Sequence, residues 1–259
     1  MTEESTGVAR IPFLGLRFDP VPIDRVLSII GERAPTAPFS YIVTPNVDHV
    51  VRLHAALPRL MPFYEDAWLC LCDSKILYLM AKLAGRNLPV VTGSDLTHRT
   101  FTDVINKGDT VCVIGGDNNV VELLQASVGS AALSHYNPPM GFVKVPAEID
   151  KCVDFVVSHP SRYVFFAVGS PQQEVVARAV LQTGRATGTG FCIGASIDFL
   201  TGRESRAPKW MQKMGAEWLF RLLQDPKRMW KRYLVQGPRI FLIYLAWLFG
   251  GKPPNTKLH

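Results

Sequence analysis

Short apolar runs alternate with longer amphipathic stretches over most of the chain. The apolar runs predict strands at residues 41–43, 67–71, 89–91, 110–114, 162–168 and 190–193. The stretches between them predict helices at residues 22–33, 47–58, 74–84, 95–106, 118–128, 147–157 and 172–184. Strands that are apolar on both faces are typical of parallel sheets with helices on each side. The pattern therefore predicts an α/β fold of the Rossmann-like, doubly wound type with a mostly parallel sheet.

Polar residues and glycines stand where each predicted strand ends and the next helix begins. Ligands of doubly wound sheets bind at this carboxyl edge, so we expect these junctions to converge on one site. The junctions are Thr44-Pro45-Asn46, Cys72-Asp73-Ser74, Thr92-Gly93-Ser94-Asp95, Gly115-Gly116-Asp117-Asn118, the segment from Gly169 to Glu174, and the segment from Gly194 to Asp198.

Asp73 follows an apolar strand directly and precedes a helical run. The common use of an aspartate there is as the N-cap of the helix. The alternative is a general base at the edge of the sheet, where partial burial tunes its pKa. The residues alone favour the cap.

The segment from Gly169 to Glu174 has the features of a helix start. We expect Ser170 at the N-cap, Pro171 at the first helical position and Gln173 closing a capping box. This segment is either only a helix cap or a phosphate site at which Gln173 or Glu174 touches a sugar or base. Gly115 and Gly116 similarly resemble half of a nucleotide-phosphate loop, although two glycines after a strand are more often only a tight turn.

The positive charge of the chain is concentrated at its C-terminal end. Residues 1–202 carry 16 Lys and Arg against 19 Asp and Glu, whereas residues 203–259 carry 12 against 3. The composition, 47% hydrophobic and 19% charged, excludes a disordered chain. We therefore predict an α/β body over 1–202 and a basic, Trp-rich helical appendage over 203–259 that meets an anionic partner.

Three anionic partners fit such an appendage: nucleic acid, lipid headgroups or a phosphorylated ligand. The acidic body argues against nucleic acid. Basic and aromatic residues recur at helical spacing over residues 218–233, which is typical either of a solvated basic face or of a membrane-surface helix. The apolar run 240–249 is too short to span a bilayer, so we expect an interfacial or docking helix.

The five cysteines are scattered through apolar runs without metal-ligand spacing, and the six histidines form no metal motif. We predict buried thiols, no metal site and no cofactor. The N-terminal segment lacks the features of a signal peptide, so we expect a cytoplasmic protein.

The junctions also form an ordered set with a specific tail, over roughly residues 40–235. The tail motifs are Arg206-Ala207-Pro208-x-Trp210-Met211-Gln212, Glu217-Trp218-Leu219-x-Arg221-Leu222 and Pro226-x-Arg228. Together with the junctions they resemble the WecG/TagA/CpsF glycosyltransferases. This chain has Asp73-Ser74 where family members commonly have Asp-Gly.

The resemblance implies a bacterial, membrane-associated enzyme of exopolysaccharide or cell-envelope synthesis. It would move a sugar from a UDP-sugar to a polyprenyl-diphosphate-linked saccharide, inverting the anomeric centre without a metal. Asp73 would be the general base. Donor contacts would come from Gly93, Asp95, Gly115, Gly116, Gln173, Glu174 and Asp198, and acceptor contacts from Thr44, Asn46, Arg206, Arg221 and Arg228.

The resemblance also implies that the appendage completes the site at the inner face of the cell membrane. Off the membrane, an apolar and Trp-rich tail could form a homo-oligomer. The alternative function is a non-catalytic nucleotide-binding or scaffold protein that docks to the membrane by its basic tail.

Overall fold

The computed structural model describes residues 7–117, 119, 122–125, 131–194, 196–197 and 207–250. Its strands in chain order are β1 (Ile11–Phe13), β2 (Leu16–Phe18), β3 (Ser40–Val43), β4 (Leu69–Cys70), β5 (Thr110–Ile114), β6 (Ala132–Tyr136), β7 (Tyr163–Phe166) and β8 (Thr189–Cys192). The helices of the body are α1 (Ile23–Glu32), α2 (Val47–Ala55), α3 (Leu57–Glu65), α4 (Lys75–Leu83), α5 (Gly93–Arg99), α6 (Pro146–Ser158) and α7 (Gln172–Thr183). The tail contains α8 (Lys209–Met214), α9 (Glu217–Gln224), α10 (Pro226–Trp230), a π-helical segment (Lys231–Gln236) and α11 (Arg239–Leu248).

Six of the strands form one parallel sheet in the order β4-β3-β8-β7-β5-β6. All of its carboxyl ends therefore lie at one edge. Polar residues cap three helices that begin there, since Asn46, Ser74 and Thr92 accept hydrogen bonds from the first-turn N–H groups of α2, α4 and α5. This arrangement confirms the predicted α/β fold with a parallel sheet.

Both faces of the sheet are buried, as near-continuous apolar strands require. Along β7, Val164 and Phe166 belong to one hydrophobic cluster, and Tyr163 and Phe165 belong to the other. The five cysteines are buried, free thiols, as the sequence predicts.

Several elements differ from the sequence prediction. The β1–β2 hairpin and edge strand β6 have no predicted counterpart, because the first is very short and β6 carries Ser134 and His135 at only partly buried positions. The helix predicted over 47–58 divides at Ala56 into α2 and α3. The strand predicted over 89–91 reduces to one parallel bridge between Cys72 and Val90.

Helix α11 shows how the apolar run 240–249 is used. Its inner face packs on the body: Ile240 and Ile243 join a core cluster, and the Tyr244 hydroxyl donates to the Met80 carbonyl at 2.9 Å. Apolar side chains elsewhere on the helix are exposed, among them Phe241, Leu242, Leu245 and Leu248. Among the described residues, no helix is long and apolar enough to cross a membrane. The predicted boundary after residue 202 falls in 198–206, outside the described residues, so the two-part division stays a prediction.

Candidate active site

Two cavities open at the carboxyl edge of the sheet and meet at Asp73. Their volumes are about 1120 and 680 Å³. Six residues line both: Asn46, Asp48, Asp73, Glu217, Arg221 and Arg232. The body contributes the first three and the tail contributes the last three, so the junction between the cavities is built by both parts of the chain.

The walls of the two cavities differ in chemistry. The larger cavity is lined on its tail side by apolar and aromatic groups, including Trp218, Tyr233, Leu234, Ile240 and Phe241. The smaller cavity is lined by Thr44, Ser94, Ser170, Gln173 and Ser196 and by the glycines at 169 and 194. The smaller cavity thus offers hydrogen-bonding groups suited to hydroxyls and phosphates, and the larger one offers a surface suited to hydrocarbon.

Asp73 lies three residues beyond the end of β4, between a main-chain hydrogen bond of its own and the cap of the next helix. Its N–H donates to the Pro45 carbonyl at 3.1 Å, and the N-cap of α4 is the next residue, Ser74, whose Oγ accepts from Leu77 at 3.2 Å. The sequence-based preference for Asp73 as the helix cap is therefore wrong. Its carboxylate is left to face the cavities, and Oδ2 accepts one hydrogen bond, from the N–H of Gly93 at 3.2 Å.

Burial raises the pKa of Asp73 to about 7. The Gly93 hydrogen bond and the charge of Arg221 lower this pKa, while the charges of Glu217 and Asp95 raise it. A carboxyl that titrates near neutral pH inside a cavity exchanges a proton with a substrate hydroxyl readily.

Gly93 brings three junctions of the sheet together at Asp73. A Cβ at this position would lie 3.0 Å from Oγ1 of Thr44, 3.3 Å from Oγ of Ser196 and 3.6 Å from Oδ2 of Asp73. A side chain here would press on the hydroxyls of Thr44 and Ser196 and would touch the Asp73 carboxylate at van der Waals distance. Gly93 therefore allows a helix N-terminus to approach the carboxylate closely, which favours its ionised form.

The predicted acceptor contacts Thr44 and Asn46 both reach this edge, but Asn46 also has a structural role. Its Oδ1 accepts from the N–H groups of Asp48 and His49 at 3.1 and 3.4 Å, which caps α2. Thr44 is buried and lines the smaller cavity.

The predicted donor contact Asp95 takes part in a cap of its own. The Thr92 hydroxyl donates to its Oδ2 at 2.8 Å, and the Asp95 N–H donates to Thr92 Oγ1 at 3.0 Å. Asp95 also lines the larger cavity near Asp73.

The helix start predicted at Ser170 is corrected by the structure. The N-cap of α7 is Pro171, the helix begins at Gln172 and no side chain caps it. The peptide bond between Ser170 and Pro171 is cis. The capping box fails because the side chain of Gln173 is engaged elsewhere.

Gln173 and Glu174 instead connect neighbouring junctions of the sheet edge through hydrogen bonds beside the smaller cavity. Oε1 of Gln173 accepts from the Gly194 N–H at 2.7 Å, and its Nε2 donates to Oε1 of Glu174 at 2.9 Å. That same oxygen lies 3.7 Å from Nε2 of His49. Burial raises the pKa of Glu174. Burial is also the main reason that the pKa of His49 lies well below its usual range, and the charges of Arg52 and Arg232 lower it further. Only Gln173 of the predicted pair lines the smaller cavity.

Gly115 and Gly116 line neither cavity. A Cβ on Gly115 would lie 2.7 Å from Cγ1 of Val168 and 2.9 Å from the carbonyl carbon of Ala167, and its φ is +96°. Glycine is thus required by the close approach of the loop after β7. A nucleotide contact at these two residues stays a prediction.

The tail supplies groups that the sequence analysis missed. Glu217 pairs with Arg221 across one helical turn, with Oε1 and Nη2 3.2 Å apart. Asp48 pairs with Arg52 of its own helix at 3.0 Å and with Arg232 of the tail at 3.3 Å. The spacing of Glu217 and Arg221 is visible in the sequence as an i,i+4 pair, but nothing in it shows that the pair faces Asp73.

The other predicted residues cannot be placed in the same way. Asp198 and Arg206 lie outside the described residues, as does the side chain of Arg228. Within the described part of the chain, no group of three or more His, Cys, Asp or Glu side chains is arranged to hold a metal ion.

Comparison with protein families shows which family the chain belongs to. Residues 11–253 match the model of the Glycosyl transferase WecG/TagA/CpsF family. The chain belongs to this family. The match includes β1, the whole sheet and α11, so it covers both cavities.

The protein is therefore a glycosyltransferase, which uses a nucleotide-sugar donor and a saccharide acceptor. Membership of the WecG/TagA/CpsF family supports a role in cell-surface polysaccharide synthesis. The resemblance read from the junctions and the tail is confirmed, and the non-catalytic scaffold is no longer an alternative.

Proposed function

We propose that this glycosyltransferase moves a sugar from a UDP-sugar to a polyprenyl-diphosphate-linked saccharide, with inversion at the anomeric carbon and Asp73 as general base. One observation carries the proposal. Asp73 is a partly buried carboxyl with a pKa of about 7, and it lies where a polar cavity meets a cavity with an apolar wall. A polar donor and a lipid-linked acceptor need such a pair of neighbouring surfaces.

The reaction at this junction is a single displacement. The acceptor hydroxyl gives its proton to Asp73 while its oxygen forms the new bond to the anomeric carbon. The bond from that carbon to the UDP oxygen breaks on the opposite face, and UDP leaves with the electron pair. Because the Gly93 N–H holds one carboxylate oxygen, the other oxygen is oriented toward the acceptor hydroxyl.

The smaller cavity fits the donor. Thr44, an acceptor contact according to the family resemblance, also lines this cavity. Ser94 and Ser196 offer hydroxyls to the donor sugar, and Arg232 brings positive charge to the side shared with Asp73. Guanidinium groups suit a diphosphate because they bind phosphate oxygens through a fork of donors. They would neutralise the charge that develops on the leaving UDP, in keeping with the proposed independence from a metal.

The larger cavity fits the acceptor lipid. Trp218, Tyr233 and Phe241 form a wall for the first isoprene units, and Arg221 stands between this wall and Asp73. This placement agrees with a role for Arg221 at the lipid diphosphate, together with Arg206 and Arg228 as the sequence predicts.

The outer face of α11 fits a membrane surface. Leu242 and Leu245 are each about half exposed on a helix whose inner face is anchored in the core. The tail is also the basic part of the chain. Exposed apolar side chains and basic residues together are typical of helices that lie in a membrane interface. We therefore propose peripheral attachment to the inner face of the cell membrane.

Mass spectrometry of the lipid-linked product tests the proposal. The full chain is incubated with a mixture of UDP-sugars and a polyprenyl-diphosphate saccharide in anionic vesicles. We expect the acceptor mass to increase by one sugar residue and UDP to be released in equal amount. Release of UDP with no change in the lipid, or transfer only to a water-soluble saccharide, would contradict the proposed acceptor.

A further inference from the structure

The first residue of α9, Glu217, is a tail residue that faces the catalytic junction. It lines both cavities together with Asp73 and Arg221. Its Oε1 accepts a hydrogen bond from Nη2 of Arg221 at 3.2 Å, and both side chains are about 30% exposed, at 28% and 31%. The pair is thus partly sheltered at the mouth of the site.

An ion pair across one helical turn contributes little to stability when it is exposed to water. This pair has a different setting, because both of its side chains line the same two cavities as the partly buried carboxyl of Asp73. The charge of Glu217 raises the pKa of Asp73, and the charge of Arg221 lowers it. One helical turn of the tail therefore carries two charges that have opposite effects on the pKa of Asp73.

Other charged groups also surround Asp73. Asp95 on α5 raises its pKa as well, although less than burial or Glu217 does. The remaining charged residues that line the same two cavities are Lys75 on α4, Asp48 and Arg52 on α2, Asp225 after α9 and Arg232 in the π-helical segment.

We propose that Glu217 is a positioning residue for the transfer reaction, which holds Arg221 at the junction of the two cavities and sets a second negative charge beside Asp73. Through this pair, the position of the tail on the body determines how readily Asp73 gives up its proton. Glu217 does not itself exchange a proton with the substrate. The inference rests on the proposed role of Asp73 as the base.

Titration of Asp73 in the full chain tests this inference without any substrate. The protein is labelled with ¹³C at the aspartate carboxyls, and the Asp73 signal is assigned by its loss in Asp73→Asn. Glu217→Gln should lower the titration midpoint of Asp73 by roughly one pH unit or less, since it removes a nearby like charge. Arg221→Gln should raise the midpoint, because it removes an opposite charge.

Two controls separate this effect from a change in the fold. Glu217→Asp keeps the charge and should leave the midpoint close to that of the natural chain. Glu148→Gln removes one partner of a surface pair with Lys151, 2.6 Å apart and remote from both cavities, and should have no effect.

The pH profile of sugar transfer gives the second readout. The acid limb of kcat/KM should move to lower pH in Glu217→Gln and to higher pH in Arg221→Gln. Shifts in the same direction in both variants, or no shift in Glu217→Gln, would overturn the positioning role. If no UDP-sugar is turned over by the natural chain, the proposed function fails, whereas the titration still decides the role of Glu217.

Discussion

The main-chain N–H of Gly93 donates a hydrogen bond to Oδ2 of Asp73 across 3.2 Å. The donor is the first residue of α5 and the acceptor follows β4, so the bond joins two loops that the sequence separates by 20 residues. It orients a partly buried carboxylate at the point where both cavities meet. The proposed catalysis depends on this close approach of a helix N-terminus.

Gly93→Ala should therefore impair both folding and transfer. The new methyl group would lie 3.0 Å from Oγ1 of Thr44, so the Thr44 hydroxyl would have to shift away from it. We expect a loss of about 1–3 kcal/mol in the free energy of unfolding and a lower kcat. Gly31→Ala is the matched control, because its methyl group would meet only Val104 at 3.6 Å and the position lies in α1, where alanine is favoured. Urea unfolding and initial rates compare the two, and an unimpaired Gly93→Ala would contradict the account.

The rate of transfer should rise as pH increases through about 7. Burial places the pKa of Asp73 near 7, and a general base works only when it is deprotonated. The acid limb of the kcat/KM profile measures this pKa in the free enzyme. A profile that stays flat between pH 5 and 8, roughly the range over which such a carboxyl titrates, would contradict the assignment.

The same burial predicts a stability cost at high pH. The pKa of Asp73 is raised above its ordinary value of 3.8, so the fold favours the protonated carboxyl. This stabilisation is complete below the pKa of the unfolded chain and is lost as pH rises through about 7. Asp73→Asn, which stays neutral, should be more stable than the natural chain by roughly 2–4 kcal/mol at pH 8 and by much less at pH 4. Urea unfolding at the two pH values measures the difference, and an equal gain at both would contradict this origin.

The two faces of α11 should respond differently to substitution. Ile243→Ala opens a cavity in the core and should cost about 2–5 kcal/mol in the free energy of unfolding. Leu242→Ser and Leu245→Ser lie on the exposed face and should change stability little while weakening binding to anionic vesicles. Thermal unfolding and vesicle sedimentation separate these effects. Undiminished vesicle binding by the two serine variants would show that the outer face does not meet the membrane.

Arg232→Gln should loosen the tail without unfolding the body. The substitution removes the ion pair between Arg232 and Asp48, whereas Arg52 keeps its own pair with Asp48. Amide hydrogen exchange should become faster over residues 226–236 and stay unchanged in the strands of the sheet. Arg25→Gln, which removes an exposed pair with Glu32, is the control. Unchanged exchange in the tail of Arg232→Gln would mean that this ion pair does not hold it.

Much of the body could be predicted from the sequence because its signals are local. The apolar runs at β3, β5, β7 and β8 give the parallel sheet, and the polar junctions give its functional edge. Edge strand β6 was missed because an edge strand carries polar residues such as Ser134 and His135. The start of α7 differs from the prediction because the Gln173 side chain accepts a hydrogen bond from the N–H of Gly194, which is distant in the chain, and does not cap its own helix.

The site could be predicted only in part because its decisive contacts join residues far apart in the chain. The position of Asp73 after a strand marks it as a candidate and the family resemblance implies its role as base, but only the structure shows that Ser74, and not Asp73, caps the helix. Glu217, Asp48 and Arg232 could not be found in this way, because their importance depends on where the tail docks. Sequence periodicity defines the faces of a helix but not the partner that each face meets.

The central claim is that Asp73 takes the proton of the acceptor hydroxyl. Its most direct test compares transfer and UDP binding in the natural chain and in Asp73→Asn, with the lipid-linked acceptor in vesicles. The account predicts that transfer falls by about 10²–10⁴-fold while the affinity for UDP changes little. Turnover by Asp73→Asn close to that of the natural chain would contradict it.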